Sequence, residues 1–365
     1  MRAWSELNLS NLQHNFRLVR RHLPGGVEVM AVVKSDAYGH GLKYIVPELD
    51  RLGVDSLAVI SLEEALLARQ LSTKPMLIMG YLDSREIADA IEAGFILSLY
   101  DRELVSLYER TAERVGKICR VHLKVETGLN RLGINIDDAE AILSGQHRFP
   151  HLSIEAIFSH FANSSSRPKC LEQLGQLQEL LVRVQDRSQI LPVHLSSSEA
   201  LTVFPEGHFD SIRAGLVFYG VDEKLPGLKP TFSVKSVVMQ VKDIQQGEGV
   251  SYGHLFIADK PSRIAVVAIG YAEGFTQALT DRAEVLIKGR RFKVIGKVCM
   301  NLIVVEVGDY PIKRGDEVVI LGSQKSDDGK IDTITATDLA NWSQLRHHEL
   351  ITRFGTVLPK KIINS

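Results

Sequence analysis

Apolar and polar positions along this chain fall into a beat. Short apolar runs occur at Val29–Val33, Ser56–Ile60, Met76–Met79, Phe95–Leu99, Arg120–Val125, Ile154–Phe158, Val193–Leu195 and Ser211–Ile212. Each has the length and composition of a buried strand. Between most of them lie stretches with helical spacing of apolar residues: Leu62–Leu71, Glu86–Ala93, Glu103–Val115, Asp138–Leu143 and Leu171–Gln185. Ser61 with Glu64 three residues later spells a capping box at the start of the first. Eight strand-then-helix beats predict a closed parallel (β/α)8 barrel of the TIM type, with an open doubly wound sheet as the alternative. Residues 2–16 read as a strand followed by a helix, with Ser10 as its N-cap.

The texture changes near Gly220–Pro230, where Val221-Asp222-Glu223-Lys224-Leu225-Pro226-Gly227 reads as a linker. Beyond it come short β-rich runs at Phe232–Val241, Ile264–Ile269, Ala283–Ile287, Phe292–Val294, Leu302–Val307 and Glu317–Leu321, and one helix near Thr335–Leu345. The expected organisation is a barrel domain over 1–225 and a mainly β domain over 226–365. Residues 2–9 are a candidate strand of the second domain.

The 365 residues are enough for two domains with a large core. The net charge of −1 offers no basic excess for nucleic acid or an anionic membrane. No apolar run is long enough to cross a bilayer, and the first residues carry no signal-peptide core. Cys119, Cys170 and Cys299 are far apart and have neither zinc spacing nor a disulfide frame, so no metal is expected and a reducing cytoplasm is the simplest location. Neither G-x-G-x-x-G nor G-x-x-x-x-G-K-[ST] occurs, which argues against a nucleotide site.

The chemistry is concentrated where strand-like runs end, the face on which barrels build their sites. The first run ends in Lys34-Ser35-Asp36-Ala37-Tyr38-Gly39-His40-Gly41. A lysine at the end of a buried strand loses hydration, which favours its neutral, nucleophilic amine. Such an amine condenses with aldehydes. The fifth run leads into Lys124 and Glu126–Gly133, the sixth into His160, the seventh into Ser196-Ser197-Ser198, and the eighth into Arg213-Ala214-Gly215-Leu216. Serines and glycine-flanked amides after the last two runs have the character of a barrel phosphate site.

The string Ala31-Val32-Val33-Lys34-Ser35-Asp36-Ala37-Tyr38-Gly39-His40-Gly41 strongly resembles the cofactor-lysine motif of bacterial alanine racemases, fold-type III enzymes dependent on pyridoxal 5'-phosphate (PLP). The other segments resemble that family's motifs in order, through both domains. The resemblance implies that Lys34 carries PLP and serves as one catalytic base. It implies that Arg131 approaches the cofactor's phenolic oxygen and the substrate carboxylate, and that Lys124 is a candidate carbamylated lysine orienting this arginine. It assigns His160 to steady the pyridine partner, and Arg213 to face the pyridine nitrogen. Ser198, the amides of Gly215 and Leu216, and the Tyr38 hydroxyl would bind the phosphate. In the second domain, Val250-Ser251-Tyr252-Gly253 resembles the motif of the other catalytic base, Tyr252. Ile269–Gly274 resembles a substrate-access motif containing Tyr271, and Gly296–Asn301 the motif whose Met300 amide meets the substrate carboxylate.

Racemisation requires acid/base groups on both faces of a planar carbanion, which suits two different side chains, a lysine and a phenol. An arginine cannot accept a proton, so Arg213 would leave the ring nitrogen unprotonated and the ring a weaker electron sink. The resemblance further implies a head-to-tail homodimer, with Tyr252 supplied by the partner subunit, and D-alanine for peptidoglycan as the product. Departures from the family pattern fall at Asn301 (commonly Asp), Lys297 (Arg), His348 (a tyrosine that reaches the phosphate and narrows the substrate door), Ser197 (Asn) and Thr276-Gln277 (Pro-Arg). They bear on substrate choice, so a racemase of serine is the nearest alternative. A decarboxylase on the same plan is disfavoured by Arg213, and a non-catalytic PLP carrier by the second domain with Tyr252.

Overall fold

The computed structural model describes residues 2–185, 191–221 and 224–363. Two compact units divide the chain. Gln13–Ala37 and Leu42–Leu228 form one; the stretch ending at Leu12, Tyr38–Gly41 and the stretch from Lys229 onward form the other. Asp222 and Glu223 of the expected linker lie outside the described residues.

The chain opens with β1 (Ala3–Asn8) and α1 (Leu9–His22). The helix is capped two residues earlier than the sequence suggested. Asn8, not Ser10, accepts the Asn11 N–H on its side-chain oxygen at 2.9 Å, the geometry an N-cap needs.

The first unit is a closed barrel of eight parallel strands in sequential order: β2 (Glu28–Val32), β3 (Ser56–Val59), β4 (Met76–Ile78), β5 (Ile96–Leu99), β6 (Cys119–Lys124), β7 (Leu152–Phe158), β8 (Val193–Ser197) and β9 (Ser211–Ala214). β9 closes on β2, with Arg213 beside Met30. The intervening helices are the single turn α2 (Lys34–Tyr38), α3 (Leu42–Leu52), α4 (Leu62–Arg69), α5 (Ser84–Glu92), α6 (Glu103–Val115), α7 (Ile136–Ser144), α8 (Arg167–Arg183) and the short α9 (Ala200–Val203). The strands read as continuous apolar runs because helices and barrel interior cover both faces. Helix ends follow local chemistry. Asp83 and Glu86 form a reciprocal capping box on α5, and Gly116 ends α6 in the left-handed region at φ 70°.

The second unit is a mainly antiparallel sheet. Its strands are β1, β10 (Phe232–Ile244), the small pair β11 (Gly249–Val250) and β12 (Phe256–Ile257), then β13 (Ser262–Val267), β14 (Glu284–Ile287), β15 (Arg290–Ile295), β16 (Ile303–Glu306), β17 (Glu317–Lys325) and β18 (Ile331–Ile334). After α10 (Ala336–Ser343) and α11 (His347–Val357), β19 (Lys360–Ile363) completes it. The nine-stranded order is β18-β17-β14-β15-β16-β13-β10-β1-β19, and β17 also pairs with β10. β1 lies antiparallel to β10 and parallel to β19. Buried and half-buried residues alternate along the first part of β10, as expected of a sheet with one covered face. Where one helix was expected near Thr335–Leu345, two occur. Gln344 takes φ 59°, and the Ser343 hydroxyl donates to the Leu339 carbonyl and accepts the Leu345 N–H, which ends α10 and restarts the chain as α11. Among the described residues no helix is long and apolar enough to cross a membrane.

Candidate active site

After β2 the chain makes a turn of the wrong hand. Ser35, Asp36, Ala37 and Tyr38 all take φ between 52° and 56°. Each non-glycine residue in this region costs roughly 1–2 kcal/mol, so the turn persists only because its surroundings hold it. The Ala37 N–H donates to the Val33 carbonyl at 2.8 Å, and Asp36 accepts the Leu42 N–H at 2.7 Å. Glu64 accepts the Asp36 N–H at 3.0 Å and the Ile60 N–H at 3.1 Å. The expected capping box at Ser61 is therefore only half formed. Ser61 does cap Glu64, but the glutamate carboxylate accepts from Ile60 and from Asp36 of the lysine turn instead of from the Ser61 N–H. Lys34 is thus anchored at the head of a strained, immobilised turn. Burial pushes its amine below the usual lysine range; nearby Arg131 pushes the same way and Glu64 opposes them.

Four basic side chains gather at this end of the barrel. Lys124 ends β6, and its amine is lowered to about 8, first by burial and then by Arg131 and Arg213. Arg131 sits on the loop after β6. That loop is folded onto Glu126, whose carboxylate accepts the N–H groups of Gly128, Leu129 and Arg131 at 2.5, 2.7 and 3.4 Å. These amides outweigh burial and keep Glu126 below the ordinary carboxylate range. The loop is pinned at its far end by Gly133, at φ 149°, where a Cβ would stand 2.7 Å from the Glu126 nitrogen.

Arg213 is the most constrained of the four, with 5% exposure. Its Nη1 donates to His194 Nδ1 and to the His194 carbonyl, each at 2.8 Å. Nη2 donates to the Ser159 carbonyl at 2.6 Å, His160 Nδ1 at 3.0 Å and the Leu195 carbonyl at 3.1 Å. Burial and Arg131 lower it to about 9, so it stays a cation at neutral pH. His160 and His194 are held well below their ordinary range, first by burial and then by Arg213, so both are neutral. Gln173 on α8 ties two loops together. Its oxygen accepts the Ala162 N–H at 2.8 Å, and its nitrogen donates to the His160 carbonyl at 3.0 Å and Thr127 Oγ1 at 3.2 Å.

After β8 and β9, the Ser198 hydroxyl accepts the N–H groups of Gly215 and Val217 at 2.9 and 3.4 Å. Turn bonds from Phe218 to Gly215 and from Tyr219 to Leu216 place Leu216 inside the same tight turn. The barrel unit thus brings together Lys34, Lys124, Arg131, His160 and Arg213 in one electrostatic neighbourhood, and Ser198, Gly215 and Leu216 in another small cradle.

The remaining expected residues belong to the second unit. Tyr38 is half-buried, and desolvation pushes its phenol up to about 12. The next residue, Gly39, lies against α11: a Cβ there would meet Gly355 Cα at 2.9 Å and the Thr352 carbonyl at 3.0 Å. His348 stands one turn earlier on α11, edge-on to His347 with ring centroids 5.3 Å apart. Tyr252 is 71% exposed on a short turn with Ser251 at φ 63° and Gly253 at φ 72°. The Ser251 hydroxyl donates to the Lys297 carbonyl at 2.7 Å, which joins this turn to the loop carrying Met300. The Tyr271 and Ala272 N–H groups donate to the Cys299 and Met300 carbonyls at 3.1 and 2.9 Å. Beside them Glu273 accepts from Arg2 at 2.8 Å, Asn301 at 2.7 Å and the Gly270 N–H at 3.0 Å. An aspartate at 301 would set two carboxylates against each other here, so Asn301 and Glu273 are a matched pair.

Sequence reasoning missed His122, His194, Phe158, Gln173 and the role of Glu64. The signal for the two histidines was present: each interrupts an apolar run inside a strand buried on both faces, where a polar residue needs a partner.

Comparison with known proteins gives a consistent result. The family model described as "Alanine racemase, N-terminal domain" matches residues 7–223, and "Alanine racemase, C-terminal domain" matches residues 231–362. "Alanine racemase 2" of Caldanaerobacter subterraneus subsp. tengcongensis is 34% identical over 97% of this chain and 93% of its own. The crystal structure of alanine racemase from D-cycloserine-producing Streptomyces lavendulae superposes with a TM-score of 0.92 at 28% identity, over 100% of this chain and 98% of that one. The same fold is seen at 24% identity and TM-score 0.88, over 100% of both chains, in alanine racemase from Bartonella henselae with covalently bound pyridoxal phosphate.

Proposed function

The chain belongs to the alanine racemase family, and from that premise we propose that it interconverts L- and D-alanine by proton exchange on both faces of the substrate, using PLP held on Lys34. The donor set suits that cofactor. Lys34 offers an amine biased toward its neutral form for an aldehyde. Ser198 and the tight turn through Gly215 and Leu216 offer a hydroxyl and amides for a phosphate, with Tyr38 as a further donor. A cluster of basic groups that includes the guanidinium cations of Arg131 and Arg213 suits a ligand that is anionic at both its phosphate and its phenolic oxygen. PLP supplies an electron sink for the pair left behind when the α-proton departs.

The protein's own groups do the rest. Lys34 Nζ would take or return the α-proton on one face. The Tyr252 phenol, contributed by the partner subunit of a head-to-tail homodimer, gives or takes a proton on the other. Arg131, with the Met300 amide, holds the substrate carboxylate, and Tyr271 lines its approach. The lowering of the Lys124 amine to about 8 raises the share of its neutral form, the form that reacts with carbon dioxide. As a carbamate it would place an anion in the basic cluster as a partner for Arg131. His348 takes part in holding the phosphate. D-alanine made in this way would serve cell-wall peptidoglycan.

The single observation that carries the reading is Arg213. It is a buried cation held by five acceptors and cannot take a proton, which supports the role of facing the pyridine nitrogen that the family resemblance assigns to it. Serine is a second, slower substrate: the uncharged Asn301, already engaged with Glu273, leaves less negative charge near the substrate-access residues. The test mixes inactive Lys34→Ala with inactive Tyr252→Phe. Shared sites restore part of the alanine racemisation as hybrid dimers form; persistent inactivity despite proven subunit exchange overturns the shared site.

A further inference from the structure

Behind Arg213 lies a pair of buried histidines, His194 and His122. His194 Nε2 is 3.0 Å from His122 Nδ1, and both rings are buried. Arg213 can only donate. Its Nη1 lies 2.8 Å from His194 Nδ1, so that nitrogen must present a lone pair. A neutral His194 then carries its proton on Nε2 and donates it to His122 Nδ1. His122 in turn must be neutral, with its own proton on Nε2. The direction of every bond in the row Arg213, His194, His122 is fixed by the one group that has no acceptor.

We propose that His122 is a positioning residue for the racemase reaction: by accepting the His194 Nε2 proton it holds His194 in the tautomer that Arg213 requires and through which Arg213 is aimed. The inference rests on the reading of Arg213 as the group facing the cofactor ring. Among the described residues no carboxylate lies within salt-bridge distance of Arg213, so carbonyl and imidazole lone pairs alone direct it. Reversing the row would place a His194 Nδ1 proton 2.8 Å from an arginine N–H, two donors face to face, and Arg213 would be driven from its place. The His194 ring cannot turn to escape. It stacks on Phe158 with centroids 4.8 Å apart and planes 9° apart, and Phe158 also lies 5.4 Å beneath the Arg213 guanidinium and 5.5 Å from the Lys124 amine. Strand register enforces the layer: Phe158 pairs with His194 across β7 and β8, and Lys124 with Phe158 across β6 and β7. Burial, reinforced by Arg120 and Arg213, lowers His122 to about 3, which keeps it an acceptor throughout the working pH range.

The experiment uses the PLP-loaded enzyme with nitrogen-15-labelled histidine, as wild type, His122→Leu and His122→Asn. The asparagine side-chain oxygen is placed to accept as Nδ1 does; leucine cannot. In the wild type, ring-nitrogen spectra show His194 protonated on Nε2 from pH 6 to 9. In His122→Leu, His194 loses that single tautomer, the visible absorption of the bound cofactor shifts, and kcat falls about tenfold with KM little changed, the size expected for one lost hydrogen bond. His122→Asn restores the tautomer, the absorption and most of kcat. A wild-type His194 protonated on Nδ1 overturns the proposal whatever the variants do. So does a leucine variant with wild-type kcat and absorption, or an asparagine variant no better than leucine. Wild-type enzyme that binds no cofactor at Lys34 defeats the reading beneath it; a loaded Lys34 with any of the contrary results defeats this inference alone.

Discussion

In the barrel unit, Arg213 is 5% exposed and meets five acceptors; in the β-rich unit, Tyr252 is 71% exposed and Met300 56%. The barrel residues are over-determined. Lys34 heads a left-handed turn tied at Val33, Glu64 and Leu42, and Arg131 rides on a loop wrapped around a carboxylate. Tyr252, Tyr271 and Met300 of the other unit sit on backbone turns that leave their side chains exposed. Tyr252, Leu255 and Ile257 stand exposed close together in sequence, although bulky apolar groups gain by being covered. The difference teaches that one set of side chains is fixed from every side while the other is left exposed on backbone turns, which suits the proposed division between holding a cofactor and meeting a substrate or partner. The departures from the family pattern divide the same way: apart from Ser197, they fall in the second unit, and none replaces a barrel side chain that holds Arg213.

The contrast is broken or sharpened first by Tyr252→Phe. It should reduce racemisation by about 10²–10⁴-fold, the range for a lost acid/base group, while the urea unfolding midpoint stays put, as for a surface substitution within ~0.5 kcal/mol. The partner substitution, Arg213→Met, should do the opposite to stability. It strands buried carbonyl and imidazole acceptors, at about 1–3 kcal/mol for the unsatisfied groups, and the midpoint should fall. If both variants unfold alike, the distinction between a held and a presented set is wrong.

A smaller effect is expected at His348. Restoring a tyrosine should tighten PLP and raise the alanine-to-serine ratio of kcat/KM by about tenfold, equivalent to one hydrogen bond to a charged group at ~1.4 kcal/mol. If ratio and PLP affinity are both unchanged, His348 does not line the substrate door.

Much of this was legible in the chain. The barrel strands are apolar runs whose ends could be placed to within a few residues, because a strand covered on both faces has no polar alternation to confuse it. Lys34 was legible because a lysine closing such a run is chemically conspicuous. The left-handed turn was not: Ser35, Asp36, Ala37 and Tyr38 have no intrinsic preference for positive φ, and only the tertiary bonds from Glu64 and Asp36 impose it. Glu64 itself looked like half of a helix cap, since local spacing cannot reveal a partner 28 residues away. His122 and His194 were visible as polar interruptions, yet their pairing across 72 residues depends on which strands face one another inside the closed barrel. The break between α10 and α11 hangs on the Ser343 hydroxyl and on Gln344 accepting a left-handed conformation, neither of which propensity predicts.

Everything proposed for the site depends on Lys34 as the residue that takes the cofactor. The direct measurement is to load the purified protein with PLP, reduce it with borohydride, digest it and locate the modified lysine by mass spectrometry. The account predicts a single pyridoxyl-phosphate adduct on Lys34, with none on Lys124 despite its lowered pKa. An adduct on Lys124 or any other lysine in place of Lys34, or no adduct after incubation with excess PLP, contradicts it.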